Sequence, residues 1–175
     1  MNNIQNKNKK KTILLTGCAG FIGGQILKSL VNKFYVIGID DLSTGTKKNL
    51  IKNKMFKFIE GNCCNQKVLK KINTKIDAIL HFAGQSSGEK SYINPTNDFD
   101  RNLNSTINLL EFALKNKCKQ FIFASSMSVY GNSNQKVKEI NKKNPISFYG
   151  ISKSAAEEYV KKYSSKGLSY TILRL

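Results

Sequence analysis

The chain has 175 residues, which is enough for one domain with a substantial core and too few for two ordinary ones. Its formal charge is +18, but the basic residues are nearly all lysine and are scattered, so we expect no dedicated nucleic-acid binding. No window approaches 18 uninterrupted apolar residues, so we expect no membrane span. The four cysteines lack metal-ligand spacing, which predicts reduced thiols, a cytoplasmic location and no metal site.

Residues 1–11 are polar, rich in asparagine and lysine, and lack the apolar core segment of a secretion signal. We expect a disordered N-terminal tail over this stretch. A single domain is then expected over residues 12–175.

The segment KTILLTGCAGFIGG is the most informative pattern in the chain. Its apolar run Ile13–Leu15 ends in Gly17, Gly20 and Gly23, and an amphipathic segment follows over residues 21–32. Glycines in such a strand–turn–helix unit let the chain reverse, let the backbone approach a pyrophosphate, and let helix and strand pack closely. The helix N-terminus also favours negative charge, so the segment predicts a dinucleotide site.

A second apolar strand, Tyr35–Ile39, ends at Asp40. A carboxylate at this position can accept from both hydroxyls of an adenosine ribose and would repel a 2′-phosphate, so NAD is predicted rather than NADP. The loop that follows, DLSTGTKKNL, is rich in turn residues, and its Ser43 and Thr44 can supply hydroxyls near the adenosine.

Strands and helices continue to alternate along the rest of the chain. The expected strands are Met55–Ile59, Ala78–Phe82, Gln120–Ala124 and Tyr170–Leu175, and the expected helices are Asn65–Ile72, Pro95–Lys117 and Ser147–Ser165. This alternation is typical of an α/β fold with a doubly wound parallel sheet, the Rossmann fold.

Two polar residues interrupt these apolar patterns. His81 is the only histidine and lies within an apolar strand, where a structural role is expected. Asn102 lies among apolar neighbours in the long helix; if buried, it needs partners, which a backbone carbonyl and a group on the cofactor side could provide.

Tyr149 and Lys153 stand one helical turn apart on the same face. Chance predicts about one such pair in a chain this rich in lysine, so the position of the pair is what matters. It opens a helix after the fifth strand, which ends near Ser126. A lysine ammonium and a nicotinamide ring should lower the pKa of the tyrosine, while Ser126 donates to the substrate oxygen.

Six motifs in this order resemble the extended short-chain dehydrogenase/reductase family, in particular its NAD-dependent sugar-nucleotide epimerases and dehydratases, and most of all the nucleotide-sugar 4-epimerases. They are TGCAGFIGG, DDLSTGTKKNL, HFAGQSSGE, NLNSTINLLEFA, FASSMSVYG and YGISK.

The resemblance implies NAD as cofactor and assigns a role to each matching residue. The implied cofactor-binding residues are Gly17, Gly20, Phe21, Ile22 and Gly23 at the pyrophosphate, Asp40, Asp41, Ser43 and Thr44 at the adenosine ribose, Asn62 and Cys63 near adenine, and Phe82, Ala83, Gly84, Asn102, Tyr149 and Lys153 along the rest of the cofactor. Ser126, Tyr149 and Lys153 are the implied catalytic group. The family usually has an acid where this chain has Asn62.

The resemblance also implies a reaction. Dehydratases of the family place an Asp-Glu pair where this chain has Met127 and Ser128, so epimerisation is favoured. Tyr149 would deprotonate a sugar hydroxyl, and a hydride would pass to NAD and return to the other face of a 4-keto sugar. A dehydratase or reductase of the same family, or a non-catalytic NAD-binding module, remains an alternative.

The family continues beyond the sixth strand into a smaller substrate domain, most of which this chain lacks, so we expect a fragment of a longer enzyme. The expected substrate is a nucleotide-sugar, most of all a UDP-sugar. The expected partner is a second copy, contacting the first through the helices Pro95–Lys117 and Ser147–Ser165.

Overall fold

The computed structural model describes residues 10–133 and 136–175. The tail predicted over residues 1–11 therefore lies outside the described residues, except for Lys10 and Lys11. Within the described ranges, six parallel strands form one sheet in the order β3-β2-β1-β4-β5-β6. Their bounds are β1 Thr12–Thr16, β2 Tyr35–Asp40, β3 Phe56–Glu60, β4 Ala78–His81, β5 Gln120–Ser125 and β6 Ser169–Arg174. The predicted doubly wound parallel sheet is confirmed.

Helices connect the strands. Their bounds are α1 Phe21–Leu30, α2 Gln66–Leu69, α3 Gly88–Ile93, α4 Pro95–Phe99, α5 Ser105–Lys115 and α6 Phe148–Tyr163. None of these helices, which come from the described ranges alone, combines the length and apolar character needed to cross a bilayer.

The uninterrupted helix predicted over Pro95–Lys117 is wrong in detail. A π-helical turn, Asp100–Asn104, separates α4 from α5. Ser105 and Thr106 donate hydrogen bonds from their hydroxyls to backbone carbonyls four residues back, at 2.6 and 2.5 Å, and side chains that bond the backbone in this way disturb helical regularity. Such turns are common at functional sites, and this one contains Asn102.

The sheet is buried on both faces, as a parallel sheet requires. Leu14 of β1 packs in the cluster that contains Leu109 and Phe121, whereas the adjacent Leu15 packs on the other side with Leu27 and Val36. Neighbouring residues of one strand thus anchor two separate layers.

The order of the strands determines where a ligand can bind. The chain leaves β1 toward β2 on one side and reaches β4 on the other, so a crevice opens between the two connections at the carboxyl ends. The registers place Thr16 of β1 beside His81 of β4, and the Gly17 N–H donates to the Ile39 carbonyl at 2.8 Å. The ends of three strands are thereby fixed around the crevice.

Candidate active site

A continuous cleft runs across the carboxyl ends of the strands. One half is lined by residues that include Asp40, Asp41 and Arg101, and the other by residues that include Tyr149 and Lys153. Both halves share the lining residues Gly17, Gly20, Thr44, Phe82 and Gly84.

Nearly all the residues predicted to bind a cofactor line this cleft. They are Gly17, Gly20, Phe21, Ile22, Gly23, Asp40, Asp41, Ser43, Thr44, Asn62, Cys63, Phe82, Ala83, Gly84, Tyr149 and Lys153. Asn102 and Ser126 are not among the lining residues, and Arg101 lines the cleft without having been predicted. The one available signal for Arg101 was its rarity, because the chain has only two arginines.

The glycine turn has no room for side chains. Gly17 has a φ of +73°, and a Cβ there would lie 2.6 Å from the Ala83 nitrogen, while a Cβ on Gly23 would lie 2.0 Å from the Gly17 oxygen. Gly20 precedes α1 and provides no side-chain cap, so the first N–H groups of this helix are left for another acceptor. A backbone cradle at a helix N-terminus fits the pyrophosphate of a dinucleotide.

Asp40 is buried and held by the backbone on both sides. Its Oδ2 accepts from the Ala19 N–H and its Oδ1 from the Leu42 N–H, each at 2.9 Å. The second bond helps to hold Leu42 at a φ of +58°, which is unusual for a residue other than glycine. Each carboxylate oxygen can still accept a further hydrogen bond from the cleft.

Arg101 joins the loop after β2 to the π-helical turn. Its Nη1 lies 3.1 Å from Asp41 Oδ2 and donates to Ser43 Oγ at 2.9 Å, and the Ser43 hydroxyl donates to Asp41 Oδ1 at 2.6 Å. Burial alone would raise the pKa of Asp41, but the hydrogen bonds from Ser43 and the Arg101 charge outweigh it and hold that pKa below 3.8. Asp41 therefore stays ionised at neutral pH.

The thiols of Cys63 and Cys64 lie beside the same half of the cleft. Their mutual hydrogen bond and burial raise the pKa of Cys63, and that bond also lowers the pKa of the more exposed Cys64. The Cys64 thiol donates to the Asp100 carbonyl at 3.0 Å, and the Asn62 side chain accepts from the Cys64 N–H at 2.8 Å.

His81 is fully buried beneath the cleft. Its Nδ1 is 2.7 Å from the Thr16 hydroxyl and its Nε2 is 3.1 Å from the Thr106 hydroxyl. Burial, assisted by the positive charge of Lys153, lowers the pKa of the imidazole to about 3, so the ring is neutral. A neutral histidine between two hydroxyls suits the structural role expected from the sequence.

Asn102 is also fully buried, but its partners differ from the predicted backbone carbonyl. Its Nδ2 donates to Asp98 Oδ1 at 2.9 Å and to Ser152 Oγ at 3.3 Å. Its Oδ1 has no hydrogen-bond partner among the described residues and faces Gly84, where a Cβ would lie 2.6 Å from it. A buried acceptor without a partner is costly, and this one is positioned to accept from a group in the cleft.

The three residues predicted to be catalytic, Ser126, Tyr149 and Lys153, lie at the end of β5 and in the first turns of α6. Ser147 caps this helix by accepting from the Gly150 N–H at 3.0 Å. Tyr149 and Lys153 then point from its first turns into the cleft. Ser126 lies at the end of β5, where its hydroxyl accepts from the Ser128 N–H at 3.2 Å.

The lowering of the Tyr149 pKa is expected from Lys153 and a nicotinamide ring together, and the chain by itself does not show it. Burial raises the pKa of the phenol, and the neighbouring Ser126 hydroxyl opposes this only in part. The Lys153 amine instead donates to the Ala124 carbonyl at 2.9 Å and lies 6.0 Å from the centre of the Tyr149 ring. Burial lowers the pKa of Lys153 to about 8.

Comparison with known proteins shows to which family the chain belongs. Residues 13–175 match the profile of the NAD dependent epimerase/dehydratase family. The chain belongs to this family. A Methanocaldococcus jannaschii protein named provisionally as a UDP-glucose 4-epimerase is 41% identical over 167 residues, which cover 93% of this chain and 54% of that protein.

Solved structures agree with this membership. The UDP-N-acetylglucosamine 4-epimerase of Methanobrevibacter ruminantium is 33% identical, with a TM-score of 0.89, and the match covers 95% of this chain and 55% of that one. The Thermus thermophilus UDP-glucose 4-epimerase, solved with NAD, is 30% identical, with a TM-score of 0.85. This match covers 93% of this chain and 54% of that one. This family member thus spans about half the length of these relatives.

Proposed function

We propose that this chain is the cofactor-binding and catalytic part of an NAD-dependent nucleotide-sugar 4-epimerase, with a UDP-sugar as its substrate. One observation carries the proposal. Asp40 and Asp41 at one end of the cleft, the glycine turn in its middle, and Tyr149 and Lys153 at the other end line one continuous surface. A dinucleotide lying across the strand ends would bring its reactive ring to the phenol.

The residues present fit the cofactor. The turn at Gly17 and Gly23 accepts no side chain and leads into the N-terminus of α1, where a pyrophosphate would be favoured, and Asp40 offers acceptors for ribose hydroxyls. The Asn102 Oδ1, which lies beside Gly84, could accept a hydrogen bond from the cofactor. NAD, when bound, would accept a hydride from C4 of the sugar and return it to the opposite face.

The chain's own groups handle the proton. Tyr149 Oη would remove the proton from the 4-hydroxyl as the carbonyl forms and return it as the new hydroxyl forms. The Ser126 hydroxyl would donate a hydrogen bond to that sugar oxygen. Lys153 would supply the positive charge that favours the phenolate and would hold the nicotinamide ribose.

Epimerisation is preferred to dehydration because of the residues that follow β5. Met127 and Ser128 occupy the first positions of the 3-10 turn Met127–Tyr130, directly after Ser126. Neither carries a carboxyl group, so neither can move the additional proton and hydroxyl that dehydration requires.

The test is the interconversion of UDP-galactose and UDP-glucose in the protein carrying this sequence. Tyr149→Phe should lower turnover about 100-fold or more, because it removes the proton carrier, while NAD still binds. Tyr159→Phe is the matched control, since Tyr159 is a half-exposed tyrosine on the same helix. Undiminished turnover of every tested nucleotide-sugar by Tyr149→Phe, with NAD still bound, would favour the non-catalytic NAD-binding module.

We also propose that the protein is cytoplasmic and forms a homodimer. Its four cysteines are free, as expected in a reducing compartment. Apolar side chains lie exposed on the outer helices, among them Ile93, Phe99 and Ile151, and their burial against a second copy would be favourable. Sedimentation velocity should show a dimer that Ile151→Lys weakens, and a monomeric unaltered protein would contradict the dimer.

A further inference from the structure

Asp98 is a buried carboxylate that the proposed reaction does not yet use. It is 1% exposed, and three side-chain donors meet its two oxygens. Gln85 Nε2 and Asn102 Nδ2 donate to Oδ1 at 2.9 Å each, and Ser152 Oγ donates to Oδ2 at 2.6 Å. The ion pairs of the described residues include none to Asp98 within 4.0 Å. A buried charge without a contacting counter-ion is expensive to maintain, which points to a role in the neighbouring site.

The first consequence concerns the orientation of Asn102. An ionised carboxylate can only accept hydrogen bonds, so Asn102 must present its NH₂ group to Asp98. In the flipped orientation two acceptor oxygens would stand 2.9 Å apart. The Asn102 Oδ1 is therefore directed away from Asp98 toward Gly84, on the cleft side, where it has no partner among the described residues.

The second consequence concerns charge at the start of α6. Ser152, which donates to Asp98, directly precedes Lys153 in this helix. The Lys153 amine and the Asn102 Oδ1 also meet at Gly84, where a Cβ would lie 3.4 Å from the amine and 2.6 Å from the oxygen. Burial lowers the pKa of Lys153, and the negative charge of Asp98 counteracts this. The same charge adds to burial in raising the pKa of Tyr149.

Three other titratable groups lie on β4 and α6, the elements that hold or contact Lys153. His81 of β4 is neutral, because burial lowers its pKa to about 3. Glu157 of α6 is paired with Arg174 and Lys143. Tyr149 of α6 is uncharged at neutral pH, and burial raises its pKa further above the ordinary value of 10. Asp98 is thus the negative charge in this group that has no contacting cation.

We propose that Asp98 is a positioning residue, which orients the Asn102 amide toward the cofactor cleft and keeps Lys153 protonated at the pH at which the enzyme works. The proposal rests on the proposed function, because Lys153 and Asn102 belong to the site assigned there. The Asp98 carboxylate itself lies behind the cleft and acts through these two side chains.

The substitution Asp98→Asn separates the effect of the Asp98 charge from the effect of its hydrogen bonds. The new amide oxygen can still accept from Gln85 and Asn102, and its NH₂ can donate to Ser152 Oγ. The Ser152 hydroxyl can then donate to the Tyr149 carbonyl, which lies 3.0 Å away. The hydrogen bonds are retained and only the negative charge is lost. Asp100→Asn is the matched control, since its exposed carboxylate contacts the Asn104 side chain and loses the same charge.

The direct measurement is the pKa of Lys153, obtained by trace acetylation over a range of pH with peptide mapping. Asp98→Asn should move this pKa to lower pH by about half a unit or more, and Asp100→Asn should leave it in place. An unchanged Lys153 pKa in Asp98→Asn overturns the proposal. This measurement needs no turnover, so it separates a failure of this inference from a failure of the epimerase assignment.

Turnover of UDP-galactose supplies the second readout. The pH profile of turnover should have an acidic limb set by Tyr149 and an alkaline limb set by Lys153. In Asp98→Asn both limbs should move to lower pH, because the phenol ionises and the ammonium loses its proton more readily. A fall in turnover with neither limb displaced would assign Asp98 a purely structural role. If Asp98→Asn does not fold, the double variant that adds Lys153→Met should restore folding, and failure of both variants overturns the proposal.

Discussion

Glu157 connects α6 to the sheet, and its replacement should destabilise the protein. Its side chain is fully buried and forms a two-point ion pair with Arg174 of β6, at 2.9 and 2.8 Å. It also accepts from the Ser125 hydroxyl at 2.6 Å and from Lys143 at 3.2 Å. Glu157→Gln keeps the size of the side chain but leaves the Arg174 charge without its partner.

The pKa of Glu157 gives the size of the expected loss of stability. Burial alone would raise this pKa, but the hydrogen bonds from Arg174, Ser125 and Lys143 hold it at about 2, against 4.5 for an ordinary glutamate. Such a difference corresponds to about 3 kcal/mol of the free energy of unfolding at pH 7. Breaking a buried ion pair typically costs a similar amount.

The dependence on pH has a definite sign. Because the pKa is lower in the folded state, the stabilisation is fully present above about pH 4.5 and is lost as the pH falls toward 2. The gap between unaltered protein and Glu157→Gln should therefore shrink from about 3 kcal/mol at pH 7 to about 2 kcal/mol at pH 3.5.

Urea unfolding at the two pH values measures this gap. Glu158→Gln is the matched control, because Glu158 is the next residue of α6, has a 59% exposed side chain and pairs with Lys143 and Lys161. It should cost less than about 1 kcal/mol. A Glu157→Gln variant as stable as Glu158→Gln, or a gap that does not change with pH, would refute the reasoning.

Three further predictions concern the cleft and the residues around it. Gly23→Ala places a Cβ 2.0 Å from the Gly17 oxygen, so it should cost about 1–3 kcal/mol of stability and weaken NAD binding in calorimetry, whereas Gly88→Ala, with open space around it, should do neither. The imidazole NMR signals of His81 should not titrate between pH 5 and 8, because the ring is buried and its pKa is about 3; a shift in that range would contradict its neutral state. Iodoacetamide at pH 8 should modify Cys64 before Cys18, whose pKa burial raises to about 12, and peptide mapping showing the reverse order would contradict the thiol assignment.

Much of the fold and of the cleft could be predicted because it depends on local pattern. The run Ile13–Leu15 and the three glycines after it indicate a strand, a turn and a helix from the local sequence alone, and the structure has these three elements there. Alternation then implies a parallel sheet, and parallel strands bring their carboxyl ends to one edge. Side chains predicted at strand ends, such as Asp40 and Ala83, therefore meet in space.

Contacts between distant segments could not be predicted in this way. The ion pair of Arg101 with Asp41 joins residues 60 positions apart, and no periodicity indicates it. Asp98 lies on the buried side of a short helix and accepts hydrogen bonds from three side chains. The helical pattern of the sequence does not indicate these three donors. The π-helical turn and the hydroxyl-to-carbonyl bonds beside it are not indicated by residue type alone.

The state of Tyr149 shows why the position of two residues on one cleft does not determine the electrostatics between them. The spacing places Lys153 one turn after Tyr149, and the structure confirms that both line the cleft. Spacing does not determine the direction of a long side chain, however, and the Lys153 amine is bonded to the Ala124 carbonyl. Burial therefore dominates, and the phenol keeps its proton in the chain by itself. An additional positive charge in the cleft would be needed to favour the phenolate, so we expect proton removal by Tyr149 to depend on an oxidised nicotinamide cofactor beside it.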